Sequence, residues 1–471
     1  MKVLFLYSYE YLEPIGIMSL SAFLKKHGIE VGFLDMLFEK DLFRSVEDFA
    51  PDIIAYSITT GKHRFYRDIN LQLKQRLKFV SVFGGPHATF FPDFIQEEGV
   101  DILCRGEGEY ALLELVTALS QGASPVAIKN LWVKADGEVH KNEMRPLIEN
   151  LDDLPFVDRE LVNKYDHYRK MHRRMVLTGR GCPYKCSYCF NHAYNNLYAG
   201  KGTIVRKRSV DHVLAELKQV VSTCKPRRFH FIDDTFIINK KWCDEFGVRY
   251  PKEIGIPFIA YMRVNLITDD IVRLLKNAGC ITALYAIESG NDRIRNSLLQ
   301  RGIARETILG AAALFKKYRL RTYSQNMVAL PGETIAEAIE TVDLNRECKP
   351  DYAWCSIYQP YPMTDLGKFS MEQGYIEADE LDESYYESTP LKHTATEKRH
   401  LENLHHLFSV FVAFSFARKM LPFLIRLPLT RFYFLIWHMH RLWCYVVKVN
   451  WIDFAEIFIW ERKSKGRRDG V

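Results

Sequence analysis

Cysteine is scarce where a second thiol-held cofactor would need it. Of ten cysteines only Cys104 precedes Cys182, and no further cluster spacing occurs among Cys104, Cys224, Cys243, Cys280, Cys348, Cys355 and Cys444. An auxiliary metal cluster is therefore not expected, and scattered thiols without pairing argue against a disulfide scaffold and for a reducing cytoplasm. Long apolar runs are missing as well. In the aromatic stretch 429–460, Arg431, Arg441, Lys448, Asp453 and Glu456 interrupt every run short of the ~18–20 residues a bilayer span needs. Val3–Tyr7 is too short for a signal-peptide core and Glu10 and Glu13 follow it, so it reads as a first buried strand. Strong charge of one sign is also lacking. With 64 basic and 58 acidic residues the net charge is +6, spread along the chain, which gives no footprint for nucleic acid.

What is present suits an α/β protein of two or three domains over 471 residues, with 48% hydrophobic content for its cores. In residues 1–125, strand-like runs at Val3–Tyr7, Val31–Leu34, Ile53–Ser57, Val80–Phe83 and Ile102–Cys104 alternate with helical patterns near 16–27, 63–78, 90–98 and 108–120. That rhythm predicts a doubly wound, Rossmann-like parallel sheet, whose ligands bind at the carboxyl ends of the strands. The residues there are polar or small: Ser57-Ile-Thr59-Thr60-Gly61, Gly84-Gly85-Pro86-His87 and Arg105-Gly106-Glu107-Gly108-Glu109. Gly106 to Ala111 mimics a GxGxxA dinucleotide fingerprint. It follows the fifth strand rather than the first, and its two glutamates would repel a pyrophosphate, which excludes NAD or FAD there. Residues 129–141 predict a hairpin turning at Asp136-Gly137. The acidic, proline-interrupted stretch 151–158 predicts an interdomain linker within 143–173.

A second βα series starts near 174. Its strand candidates are Met175–Leu177, Arg228–Ile232, Phe258–Tyr261, Ile281–Ile287, Thr322–Val328 and Tyr352–Tyr358, with helices near 210–223, 239–250, 269–278, 304–317 and 333–347. Six units predict a partial (β/α)6, TIM-like barrel with its chemistry at the carboxyl ends of the strands. Between the first two strands lies Thr178-Gly-Arg-Gly-Cys-Pro-Tyr-Lys-Cys-Ser-Tyr-Cys-Phe-Asn191. Gly179, Gly181 and Pro183 exclude a regular helix, so Cys182, Cys186 and Cys189 share a tight loop. Three thiolates in a C-x3-C-x2-C spacing can hold three irons of a [4Fe–4S] cube and leave the fourth open. A zinc site with His192 as fourth ligand is the plainer alternative, although zinc knuckles usually come from separate segments.

This cysteine loop, with Tyr188 before the third thiol, resembles the signature of the radical S-adenosylmethionine (radical SAM) superfamily. Pro14-Ile-Gly-Ile-Met-Ser, Phe83-Gly-Gly-Pro-His-Ala-Thr and Arg105-Gly-Glu-Gly-Glu are similar to the cobalamin (B12)-binding domain that precedes many radical SAM domains. The resemblance implies three cofactors: a [4Fe–4S] cluster on Cys182, Cys186 and Cys189, S-adenosylmethionine on its open iron, and cobalamin on the N-terminal sheet. It places Ser57, Thr59, Gly84, Gly85, Gly106 and Glu107 near cobalamin, with the missing Cβ of the glycines allowing close approach. The D-x-H-x-x-G motif that ligates cobalt in other cobalamin proteins is absent, so a sheet that has lost its ligand is the rival reading.

The later strand ends match residue by residue. Asp233 and Asp234 resemble the subgroup's acidic pair, with capping of the following helix as the alternative for both, above all for Asp234. Arg263 could pair with the SAM carboxylate or with another strand end. Glu288 matches the residue that accepts hydrogen bonds from the ribose hydroxyls, and Leu330-Pro-Gly-Glu-Thr334 the turn near the adenine. Met363 departs from the family's glycine. The domains expected are 1–142, the linker 143–173, the barrel 174–375 and a helical, aromatic-rich region 376–471.

The resemblance implies radical cleavage of SAM and modification of an unactivated carbon, most simply methyl transfer. Cyclisation, oxidation or rearrangement without methyl transfer is the alternative. A transfer-RNA methylthiotransferase would need a second N-terminal cluster, and a non-catalytic binder would not need an open iron. The expected partners are a small-molecule or lipid-like substrate and an electron donor such as flavodoxin or ferredoxin. Residues 429–471 are either a helical cap over the barrel or a peripheral contact with the inner face of the membrane.

Overall fold

Each apolar run of the first 125 residues becomes a strand. The computed structural model describes residues 1–8, 12–376 and 389–449. Its described residues divide into two compact units, Met1–Lys170 with Tyr198–Arg206, and Met171–Leu197 with Lys207 onward.

In the first unit, β1 (Lys2–Tyr7), β2 (Glu30–Asp35), β3 (Ile53–Ser57), β4 (Val80–Gly84) and β5 (Ile102–Cys104) pair in parallel in the order β2-β1-β3-β4-β5. β6 (Leu131–Ala135) adds antiparallel to β5, and β7 (Glu138–Lys141) closes the hairpin through Asp136 and Gly137, both at positive φ. The order reverses between β1 and β3, the switch point at which such sheets open a ligand crevice. Among the helices not expected is Leu42–Phe49, which Asp41 caps by accepting from the Arg44 N–H. The helix expected at 90–98 is instead two short pieces, Pro86–Phe90 and Pro92–Gln96, because Pro92 has no N–H to continue the first.

The stretch expected as a linker at 143–173 is mostly part of this unit's core. Ile148, Leu151 and Leu154 pack with Phe23 of the first helix, Ile15–Lys26. Ser21 and Lys25 of that helix both reach Asp158, at 2.7 Å. An acidic, proline-broken sequence reads as a linker only while its leucines have no partner.

The second unit holds β8 (Arg173–Val176), then the two-residue strands β9 (Gly179–Arg180) and β10 (Arg206–Lys207), whose latter residue alone lies in it. β11 (Arg228–Phe231), β12 (Phe258–Met262), β13 (Cys280–Glu288), β14 (Arg321–Val328) and β15 (Tyr352–Ile357) follow. Six of these form one all-parallel sheet in the order β15-β14-β13-β12-β11-β8. Four of the helices between them start at side-chain caps, from Ser209, Asn239, Thr268 and Thr334, the last in a full capping box with Glu337, whereas Arg305–Lys317 follows Ala304 without one. One face of the sheet, carrying Phe229, Phe231, Phe258, Ala260 and Tyr285, packs against those helices.

The other face explains part of the C-terminal region. Ile259, Leu284, Tyr323 and Tyr352 cluster with Cys444 and Val449, and Thr282 Oγ1 donates to the Val449 carbonyl at 2.8 Å. The last described segment thus fills the inner face of the open barrel. Helix Ala395–Ala413, started by a capping box of Thr394 and Glu397, covers the β15 edge with Leu404, Phe408 and Phe411. The single helical segment expected over 401–425 breaks after Ala413 into short turns at Ser415–Met420 and Leu421–Leu424. Trp451, Phe454, Phe458, Trp460 and the basic tail lie outside the described residues. Among the described residues no helix is long and apolar enough to cross a membrane.

Candidate active site

The cysteine loop leaves the first strand of the six-stranded sheet and is fastened at its centre. Ser187 N–H donates to the Leu299 carbonyl at 3.2 Å, its hydroxyl to the Leu298 carbonyl at 2.6 Å, and its own carbonyl accepts from the Leu366 N–H at 2.8 Å. Asn195 Nδ2 holds the Cys182 carbonyl at 2.8 Å, and Cys189 N–H donates to the Cys186 carbonyl at 3.0 Å. These bonds fix the backbone around three thiols that are themselves not bonded to one another as disulfides.

Burial pushes the Cys182 thiol up, and Asp234 and Cys186 add to it. Cys189 is pushed up to about 12, again first by burial, with Cys186, Asp234 and Cys182 contributing. Cys182 and Cys189 therefore each lie in the field of neighbouring thiols, in a setting that disfavours their free thiolates. A multivalent metal centre reverses that balance by deprotonating coordinating thiols outright, and an iron–sulfur cube does so with each thiolate on its own iron. His192 does not complete a zinc site. Its Nε2 is 3.1 Å from Asp365 Oδ2, and no three His, Cys, Asp or Glu side chains among the described residues gather to share a single ion.

Arg263, at the end of β12, lies against this loop. Its Nη1 donates to Cys186 Sγ at 3.5 Å and Nη2 to the Arg301 carbonyl at 2.6 Å, and its guanidinium stacks 3.7 Å above the Tyr184 ring. No described carboxylate bonds to it, so the expected rival, a salt bridge to another strand end, is not what holds it.

Glu288 ends β13 at a register shift between Ala286 and Glu288, with φ at +67. Such a bulge re-aims a side chain at a local cost of order 1–3 kcal/mol for a non-glycine residue. The carboxylate's Oε1 accepts from the Tyr188 hydroxyl at 2.9 Å and from Arg301 Nη1 at 3.4 Å. Arg301 also donates to the Tyr188 hydroxyl at 2.7 Å and to the Ala286 carbonyl at 2.7 Å. Burial raises the Glu288 carboxyl, while Arg301, Tyr188 and Arg263 pull it back only in part. Both bonds fall on one oxygen, which leaves Oε2 for a hydroxyl donor.

Arg301 is the functional-site residue that sequence reasoning missed. It lies between Gln300 and Gly302, both at positive φ, in the loop after β13. The only trace in the sequence is a lone cation in a short turn before a helix.

The acidic pair divides. Asp233 is buried and satisfied by the protein, accepting from Thr178 N–H at 3.1 Å, Thr178 Oγ1 at 2.7 Å and Lys207 Nζ at 3.0 Å. It ties β11 to the residue before the cysteine loop and has no free oxygen pair to offer a cofactor. Asp234 is exposed and accepts from Asn191 Nδ2 at 2.8 Å; desolvation first, and then Asp233, raise its carboxyl. It does not cap the next helix, whose cap is Asn239 accepting from Trp242 N–H at 3.0 Å.

Glu333, in the turn after β14, is buried, with Oε2 accepting from Leu330 N–H at 3.2 Å and Oε1 without a partner. Burial lifts its carboxyl to about 8. Tyr188 packs with Met327, Leu330, Tyr358 and Leu366, so the loop rests on an apolar layer.

In the first unit the expected cofactor residues separate in the same manner. Gly85 sits at φ +90, and a Cβ there would meet the Ile58 backbone at 2.9 Å. At Gly106, φ +73, a Cβ would meet the Tyr198 hydroxyl at 1.9 Å and Met144 Cε at 2.6 Å. Both glycines are needed by the chain's own packing, because a side chain at either would meet protein atoms. Glu107 is likewise consumed: its oxygens accept from Arg206 Nη1 at 2.9 and 3.1 Å, and Oε2 accepts from Ile148 N–H at 2.8 Å. Ser57, Thr59 and Gly84 remain at the strand ends. Thr59 is exposed, and nothing lies closer than 3.7 Å to where a Gly84 Cβ would be. Beside them His87 is buried against His63 and Phe91, bonded through Nδ1 to Thr60, and held neutral by burial at about 3. Strand-end hydroxyls and a glycine where a Cβ would make only ordinary contacts fit a bulky, mostly neutral ligand such as a corrin ring.

Residues 1–116 match the family model of the B12 binding domain, and residues 176–344 that of the radical SAM superfamily. An uncharacterized methyltransferase of Pyrococcus horikoshii is 30% identical over 372 residues, covering 77% of this chain and 79% of the relative. An anaerobic magnesium-protoporphyrin IX monomethyl ester cyclase of Rubrivivax gelatinosus is 28% identical, covering 75% of this chain and 65% of the relative. The fold is that of the radical S-adenosylmethionine methyltransferase TsrM from Kitasatospora setae, solved with cobalamin and a [4Fe-4S] cluster. The match has a TM-score of 0.68 at 19% identity over 80% of this chain and 79% of that one.

Proposed function

Because the chain belongs to the radical SAM superfamily, in the subgroup that carries a B12-binding domain, we propose that it transfers a methyl group to an unactivated carbon of a small-molecule or lipid-like substrate. The subgroup's cofactors are a [4Fe–4S] cluster, S-adenosylmethionine and cobalamin; bound together they supply reductive cleavage of SAM to a 5′-deoxyadenosyl radical and a transferable methyl group.

The observation that carries this reading is the fastened loop of Cys182, Cys186 and Cys189 beside the Tyr188–Glu288–Arg301 triad. In it the three thiols hold the cluster. Glu288 Oε2 takes a ribose hydroxyl, and Arg263 attracts the SAM carboxylate while donating to Cys186 Sγ. Asp234 faces the same loop, whereas Asp233 acts only by positioning Thr178 and Lys207. Ser57, Thr59 and Gly84 line the cobalamin side of the first unit. A low-potential flavodoxin or ferredoxin supplies the electron.

A cyclisation or oxidation is the second reading, supported by the cyclase from Rubrivivax gelatinosus among the relatives. Anaerobic incubation of the reconstituted protein with cobalamin, reductant, a small-molecule and lipid extract and SAM labelled in its methyl hydrogens separates the two. Methyl transfer predicts a product carrying the label, with one 5′-deoxyadenosine per product. Formation of 5′-deoxyadenosine with an unlabelled, dehydrogenated or cyclised product would favour the second reading.

A further inference from the structure

Part of the C-terminal region carries apolar side chains that no core among the described residues covers. Helix Thr430–Trp443 buries Tyr433 and Trp437 on one face, continued by Cys444. On another face Phe432, Leu435, Met439 and Trp443 follow at i, i+3, i+7 and i+11, and all four are exposed, Met439 by 63%. A helix with one buried stripe is ordinarily polar elsewhere. The neighbouring segment adds Phe414, Met420, Phe423 and Phe416, the last 87% exposed. The two segments adjoin, since the Phe414 ring is 6.3 Å from that of His440 and the Tyr433 hydroxyl donates to the Leu424 carbonyl at 3.1 Å. Exposed apolar side chains gathered on adjoining segments mark an interaction site.

Its charge says what covers it. From Asn403 through Ile452 the sequence contains no aspartate or glutamate, while Arg418, Lys419, Arg426, Arg431, Arg441 and Lys448 fall in the same stretch. Arg418 is neutralised by Asp343, with both oxygens at 2.6 Å. Lys419, Arg426, Arg431 and Lys448 are exposed and pair with no carboxylate among the described residues. A second copy of this chain seated on the surface would set unpaired cations against one another, which like-charge repulsion opposes. Rings and methionine in an acyl–headgroup boundary, with cations among lipid phosphates, satisfy both features at once.

We propose that residues 414–448 dock the protein peripherally, without spanning, on a bilayer of anionic phospholipids. The docking is independent of whether the reaction is methyl transfer or cyclisation.

The full-length protein is sedimented with vesicles of phosphatidylcholine alone and with vesicles containing phosphatidylglycerol. It is expected to pellet with the anionic vesicles and to be released by salt. A Phe416→Glu/Phe423→Glu/Met439→Glu variant should stay in the supernatant. A Lys419→Gln/Arg426→Gln/Arg431→Gln variant should partition about 100-fold more weakly, from roughly one kcal/mol for each cation near the surface. All six side chains are exposed, so both variants should retain the visible absorbance of the reconstituted cluster. Failure of the wild type to pellet with anionic vesicles, or equal binding to neutral ones, would overturn the proposal. So would a dimer in light scattering that the glutamate variant dissociates.

Discussion

The two units treat the carboxyl ends of their parallel strands differently. In the first, the sequence features that look most like a ligand cradle are filled by the chain itself: Gly106 by Tyr198 and Met144, Gly85 by Ile58, and Glu107 by Arg206. In the second, among the described residues, the corresponding groups stay available: three thiols on one loop, Glu288 with one oxygen unbonded, and Arg263 with no carboxylate partner. A strand-end glycine or acid is therefore a site only when nothing in its own unit claims the space or the charge. The first unit keeps a smaller set, Ser57, Thr59 and Gly84, at its switch point.

Substitutions can sharpen that contrast. The largest effect is expected at the thiols. Alanine at Cys182, Cys186 or Cys189 should lower bound iron and sulfide after reconstitution to background, with 5′-deoxyadenosine formation falling by more than ~1,000-fold because two thiolates cannot hold an open cube. Next comes Glu107→Gln, which leaves the buried Arg206 without its counter-charge and should cost about 3–5 kcal/mol in urea unfolding of the first unit. If that variant is as stable as the wild type but loses cobalamin on gel filtration, Glu107 belongs to the cofactor after all.

Gly106→Ala should destabilise by about 2–4 kcal/mol, from strain at positive φ together with the Tyr198 overlap, whereas Gly84→Ala should cost under ~1 kcal/mol and act instead on cobalamin retention. The smallest effect is one of pH. The Glu333 carboxyl, about 8 in the folded protein against an ordinary value of 4.5, binds more protons folded than unfolded between those limits. Its contribution to stability is full below pH 4.5 and lost as pH rises through 8. Glu333→Gln should flatten that slope in denaturant midpoints measured across the range.

Much of the second unit was legible in the sequence because local pattern and chemistry coincide there. The six strands were expected within a few residues of where they lie, and the cysteine spacing named its own chemistry. What stayed hidden depends on distance along the chain. Arg206 meets Glu107 across 99 residues, and Arg301 meets Tyr188 across 113, so neither pairing leaves a local trace. The bulge that turns Glu288 toward Tyr188 is equally invisible, since Ala286-Ile-Glu288 reads as ordinary strand. The leucines of 147–154 were masked by the acids and proline around them. The aromatic C-terminus showed its composition but not that Cys444 and Val449 enter the inner face of the sheet while Phe416 and Met439 face out.

The central claim is that the Cys182–Cys189 loop makes this chain an S-adenosylmethionine-cleaving enzyme. Anaerobic reconstitution with iron and sulfide, followed by SAM and a low-potential reductant, tests it directly. The account predicts 5′-deoxyadenosine from the wild type and none from Cys186→Ala. A protein carrying a full complement of iron and sulfide that leaves SAM intact under every reductant would contradict it.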